Sequence, residues 1–286
     1  MKTLLISTDF STNAKHAAEY GYNLAKQIKA NVILCNAVTV PAEMPLAGAV
    51  IWPMDGYDGL MEDSAKGLQN LKEHLEAKNS KGDFQPSIRT INERGRLSDI
   101  VNEIAWDNDV DMVIMGTHTG HGISQFFLDN HISKMIDDTS KPLLLIPPDA
   151  RMTPIKKITF ATDFRQPKKA LESIFNLIPL ARLWGAVILL THVNNEKNHS
   201  PEFQKWVMQF LVELSNKANY PHIYYSAVRN PNVEDGLSWL CAHNQVDLLA
   251  MVHYQHGFFY NLLNSSHAKK MTDHLSIPLL IFPVRA

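Results

Sequence analysis

Leu4–Ser11 reads LLISTDFS, and Ile158–Arg165 reads ITFATDFR. Each is an apolar run that ends in Thr-Asp-Phe, and the two aspartates, Asp9 and Asp163, stand 154 positions apart. Two further matches follow in the same order. VDMVIMGTH (Val110–His118) pairs with VDLLAMVHY (Val246–Tyr254), and KPLLLIP (Lys141–Pro147) pairs with IPLLIFP (Ile277–Pro283), both at a spacing of 136. Chance rarely supplies three matches in one order with two in one register, so the chain is an internal duplication. The first copy is longer by 18 residues, and the surplus falls in Thr39–Gly59, a stretch with three prolines and Trp52. A loop of that length reads either as functional or as a surface excursion over the neighbouring copy. Pro147–Pro154 (PPDARMTP) has the punctuation of a linker, which predicts domains at 1–148 and 149–286.

Within each copy, strand and helix patterns alternate. In the first, Thr3–Thr8 is an apolar strand, and Asn13–Ile28 is helical with Ser11 or Thr12 placed to cap it. Strand patterns recur at Asn31–Val38, Ile88–Glu93, Asp111–Gly116 and Leu143–Ile146. Helical spacing recurs at Ser64–Ala77, Leu97–Trp106 and Asn130–Asp137. The second copy repeats the scheme, with Pro167 at a helix start and Gly185 just past its end. Apolar strands separated by helices imply parallel sheets covered on both faces. The expected architecture is two doubly wound α/β domains in tandem. The closing strands Leu143–Ile146 and Leu279–Phe282 would be bare apolar edges, so mutual antiparallel pairing is expected, making an intramolecular pseudo-dimer.

Composition narrows the function classes. Hydrophobic residues make 45% of the 286, charged residues 20%, and the formal net charge is -2. That balance describes a soluble globular chain without the field that draws a protein to nucleic acid or an anionic membrane surface. Met44–Met54, the longest stretch of low polarity, is far shorter than the roughly 20 residues of a spanning helix. The amino terminus lacks the apolar core of a signal peptide. Cys35 and Cys241 show no CxxC spacing and read as reduced core thiols, so the expected compartment is cytoplasmic.

The opening strand ending in Thr-Asp-Phe-Ser, the strand and loop MGTHTGHG, and the closing KPLLLIP resemble the universal stress protein family. Each copy covers one such domain, so the chain resembles a tandem member with the family's Rossmann-like, adenine nucleotide alpha hydrolase-like fold. The resemblance implies a nucleotide site at the carboxyl ends of the strands. There Asp9 and Val38 would meet base and sugar, and a glycine-rich loop from Gly116 would present backbone amides to phosphates. The family's ATP pattern is a glycine, two residues, a second glycine, nine residues, then Gly followed by Ser or Thr. The first copy places Thr119 and Asp129-Asn130 at the later positions; sliding to Gly120 places Asn130-His131 there instead. Gly120 and Gly122 keep the loop supple, while the Asp129 carboxylate would oppose a triphosphate by a few kcal/mol. The resemblance therefore implies weak ATP binding or none, with Asp9, Val38, Gly116, Gly120, Gly122 and Asn130 as the cofactor-binding set. The second copy has one glycine in VHYQHGFF (Val252–Phe259), and its Asn264-Ser265-Ser266 reads as a helix cap.

Other chemistries find little support. His118, His121 and His131 gather near the first loop and His253, His256, His267 and His274 near the second, but without Cys partners or an HExxH spacing. No metal site and no catalytic residue is assigned. The absence of GxSxG, GxxxxGK[ST] and complete GxGxxG patterns argues against an enzyme. A non-enzymatic binding or signalling module with an unidentified protein partner is the expectation. The alternatives are a nucleotide-free adaptor and a weak ATP hydrolase using Asp9.

Overall fold

A computed structural model of the chain describes residues 2–39, 54–79, 84–117, 130–164, 166–194, 201–243, 245–253 and 277–283. It divides into two compact units, Met1–Gly116 and Thr117–Ala286.

The first unit contains β1 (Thr3–Ser7), α1 (Thr12–Ile28), β2 (Asn31–Val38), α2 (Met54–Glu76), β3 (Ile88–Arg94), α3 (Leu97–Asp107) and β4 (Met112–Gly116). Its strands lie in the order β3-β2-β1-β4, and the pairs are parallel. Ser11 caps α1, its Oγ accepting from the Ala14 N–H at 3.2 Å, and Lys29 ends the helix in the left-handed region. The buried face of α1 is mostly small: Ala14, Ala17, Ala18 and Ala25 share it with Gly21, where a Cβ would stand 2.8 Å from Ile6 Cδ1. Small residues let this helix lie directly on β1 and β4. Helix α2 begins at Met54, ten residues before the periodicity at Ser64 predicts, so part of the Thr39–Gly59 surplus is helical. Residues 40–53 of that surplus lie outside the described residues.

The second unit contains α4 (Asn130–Asp138), β5 (Leu143–Ile146), β6 (Lys157–Ala161), α5 (Pro167–Trp184), β7 (Val187–Asn194), α6 (Pro201–Ala218), β8 (Ile223–Arg229), α7 (Val233–His243), β9 (Leu248–His253) and β10 (Leu279–Pro283). Its strand order is β5-β10-β9-β6-β7-β8. Helix α5 starts on Pro167 and stops on Gly185, whose φ of 59° satisfies the left-handed cap without a Cβ penalty. All pairs are parallel except β5 with β10, which run antiparallel as expected. In that pair Leu280 faces Leu144, two positions 136 apart, so equivalent leucines sit on a local two-fold. This pairing draws the closing strand of the first sequence copy into the second compact unit, and so the units divide at Gly116 while the repeat divides near 148.

The structure also explains the shared Val-Asp of the repeat. Asp111 Oδ2 accepts from the Thr3 N–H at 2.7 Å, and Asp247 Oδ2 accepts from the Lys156 and Lys157 N–H groups at 2.8 and 2.9 Å. Each aspartate ties the entry of one central strand to the start of its neighbour. Asp109 and Gln245, two residues earlier in each case, both adopt positive φ.

Candidate functional site

In the first unit, α1 covers β1 and β4 while α3 covers β1 and β2. The crossovers therefore part between β1 and β4, and an open α/β sheet offers its ligand crevice at the carboxyl ends beside such a switch point. Asp9 leaves β1 at that end with its side chain exposed, and its Oδ1 accepts from the Ser11 N–H at 2.9 Å. Val38 closes β2 half-buried, its carbonyl accepting from the Gly95 N–H at 3.1 Å. Gly116 closes β4, where a Cβ would stand 2.8 Å from the Asn13 carbonyl oxygen. The close approach of this strand to the first turn of α1 explains the glycine on packing grounds. The structure thus brings Asp9, Val38 and Gly116 to one edge of one sheet. Gly120 and Gly122 lie outside the described residues; Asn130 opens α4, and its side chain also lies outside them.

A polar cluster supports this edge, and the sequence reading did not find it. Asn36 Nδ2 donates to the Thr8 carbonyl at 2.6 Å, and Asn92 Nδ2 donates to the Met61 carbonyl at 2.8 Å. Buried Ser64 shares its hydroxyl proton between Asn36 Oδ1 and Asn92 Oδ1, at 2.8 and 2.7 Å. Helix α2 is thereby stitched to the ends of β2 and β3, and through Asn36 to the residue before Asp9. The only sequence signal was a pair of asparagines interrupting otherwise apolar or alternating strands.

The second unit has the same backbone with different side chains. Thr8 Oγ1 accepts from the Phe10 N–H at 3.0 Å, and Thr162 Oγ1 accepts from the Phe164 N–H at 3.1 Å. Both phenylalanines sit at positive φ, 65° and 58°. Thr8 N–H donates to the Cys35 carbonyl and Thr162 N–H to the Thr191 carbonyl. At the place of Asn36 stands His192, whose Nδ1 donates to the Thr162 carbonyl at 3.0 Å. Around it the polar cluster is replaced by rings. Phe164 lies 5.2–6.3 Å between centroids from His192, Phe203, Trp206, Phe210 and Tyr225. Phe164 is 4% exposed, against 38% for Phe10. Burial holds His192 below the ordinary histidine value, against the Thr162 carbonyl and Asp163, which pull it up. Its Nε2 is buried without a hydrogen bond among the described residues, which fits a neutral ring with the proton on Nδ1.

The remaining candidates separate clearly. His253 ends β9, buried, with Nε2 2.9 Å from Asp137 Oδ1 of α4. Burial lowers its affinity for a proton while Asp137 raises it, and burial wins. His131 is exposed on α4; His118, His121, His256, His267 and His274 lie outside the described residues. Among the described residues no three His, Cys, Asp or Glu side chains gather as metal ligands. Burial pushes the Cys35 and Cys241 thiols up to about 12, as core thiols require. No helix of the described residues is long and apolar enough to cross a membrane.

A doubly wound sheet with its crevice at the strand ends defines a Rossmann-like α/β protein. The universal stress protein family matches residues 1–147, and the chain belongs to that family. The universal stress protein MJ0531 of Methanocaldococcus jannaschii is 25% identical over 145 residues, which are 51% of this chain and 81% of that one. Among solved structures, a universal stress protein from Archaeoglobus fulgidus aligns with a TM-score of 0.72 at 12% identity, covering 98% of this chain and 96% of that one. A functionally unknown protein from Pseudomonas aeruginosa aligns at a TM-score of 0.57 and 12% identity, covering 99% of this chain and 92% of that one. At these identities the structural likeness concerns the fold.

Proposed function

We propose that this universal stress protein is a non-enzymatic, cytoplasmic binding and signalling module. Its first copy holds a weakened adenine-nucleotide site and its second copy holds none. The observation that carries the reading is the contrast between the two strand ends. Asp9 and Phe10 stand at an accessible edge, whereas the matching Phe164 is packed among rings. A base cannot enter where Phe203, Trp206 and Phe210 already close over the strand end. In the first copy, Asp9, Val38 and Gly116 retain the family's places, and the phosphate-binding pattern fails at Thr119, Asp129 and Asn130. Backbone amides and a helix terminus attract phosphate by about 1 kcal/mol per favourable contact, and one carboxylate among them cancels several. A protein partner, reading the nucleotide state or the surface itself, supplies the output.

Calorimetry with ATP tests the assignment. The wild type is expected to bind more weakly than micromolar. A triple variant Thr119→Gly, Asp129→Gly, Asn130→Ser is expected to bind at least about tenfold more tightly. Micromolar or tighter binding by the unaltered chain would overturn the weakened-site reading. Native mass spectrometry of freshly purified protein separates a carried nucleotide from a nucleotide-free adaptor.

A further inference from the structure

Strand β8 ends the strand order of its sheet, and among the described residues it lacks the charges that protect such edges. At the edge of the first unit's sheet, β3 carries Arg89, Glu93 and Arg94; Arg94 pairs with Asp58 at 3.0 Å and Arg89 bonds Asn108. Charges there discourage pairing with another chain. β8 reads IYYSAVR, with no charge from Ile223 to Val228, and Tyr224 and Tyr225 are 53% and 37% exposed. Helix α7 packs on β7 and β8, and its Trp239 is 52% exposed.

The ladder with β7 sets which groups are free to pair. Ile188 N–H donates to the His222 carbonyl, so in a parallel ladder the even-numbered residues of β8 face β7. The N–H and C=O groups of Ile223, Tyr225 and Ala227 then point outward. We infer that β8 pairs antiparallel with β8 of a second copy of this chain, forming a two-fold homodimer. The uncharged β8 segment is self-complementary, since antiparallel pairing about a two-fold sets its tyrosines and aliphatic residues against the same set. The chain uses this mode already, joining the equivalent strands β5 and β10 about the Leu144–Leu280 two-fold. A strand edge alone falls short of the roughly 1,200 Å² a stable interface buries, and the exposed tyrosines of β8 with Trp239 on the adjoining α7 add apolar area to it. One two-fold covers both β8 edges at once, which an unrelated peptide on one edge does not.

Sedimentation velocity on the full chain at micromolar concentrations reads the outcome. The wild type is expected at twice the 32.3 kDa chain mass. Ala227→Pro removes an outward N–H without touching the β7 ladder, and Tyr224→Lys charges the edge. Both are expected to weaken dimerisation at least about tenfold with unchanged circular dichroism. Should the proline variant misfold, Tyr224→Lys carries the test alone. A monomeric wild type, including one that captures an extended peptide instead, overturns the inference. So does a dimer that survives in every folded variant.

Discussion

Thr8-Asp9-Phe10 and Thr162-Asp163-Phe164 have the same backbone turn, the same threonine hydrogen bond and the same left-handed phenylalanine. Their surroundings differ entirely. The first sits on hydrogen bonds among Asn36, Ser64 and Asn92, while the second sits inside a cluster of rings. The turn is thus a scaffold whose duty follows from what packs against it. A polar support leaves the strand end open to solvent, whereas an aromatic support converts it to core.

The largest expected effect breaks the aromatic side. Phe164→Ala removes a fully buried ring and should cost about 3–5 kcal/mol, while Phe10→Ala, half-exposed, should cost well under half of that. Urea denaturation of the two variants measures the contrast, and equal costs would refute it. On the polar side, Ser64→Ala leaves two part-buried amide oxygens without their shared donor and should cost about 1–2 kcal/mol in the same assay. Gly116→Ala forces a Cβ against the backbone of Asn13 and should cost about 1–3 kcal/mol. Gly59→Ala, in α2 with nothing within 4 Å of the added Cβ, should be neutral or stabilise by up to about 1 kcal/mol.

A pH profile sharpens the exchange of Asn36 for His192. Burial holds His192 and His253 below the unfolded value of 6.5, so on acidification the unfolded chain takes up protons first. Their contribution to stability is complete above about pH 6.5 and is lost as pH falls through the window below it. The slope is at most about 1.4 kcal/mol per pH unit for each histidine. His192→Asn imports the first copy's residue and keeps a donor for the Thr162 carbonyl, so it should flatten that slope. Denaturation midpoints between pH 7 and 5 read it, and an unchanged slope would show that His192 does not titrate in this window.

Leu4–Ser11 and Ile158–Arg165 revealed the duplication, because repeated strands keep their apolar run and turn chemistry wherever the same backbone must form. Apolar continuity identified the central strands, and Pro167 and Gly185 marked the ends of α5, since fixed φ and permitted positive φ are local properties. Even the β5–β10 pairing was readable, because two bare apolar edges in one chain have few other ways to be covered. The character of the strand ends was not. Asn36 and Asn92 each lie 28 residues from Ser64, on either side of it in sequence, and Phe164 meets Phe210 only after β7 and α6 have returned the chain to it. Gly116 read as a phosphate-loop glycine, and only the structure shows that the backbone of α1 also stands against it. Periodicity and turn chemistry are written in neighbouring residues and so determine the fold. Whether a strand end stays open or is filled depends on contacts between distant segments, and only the tertiary structure brings those together.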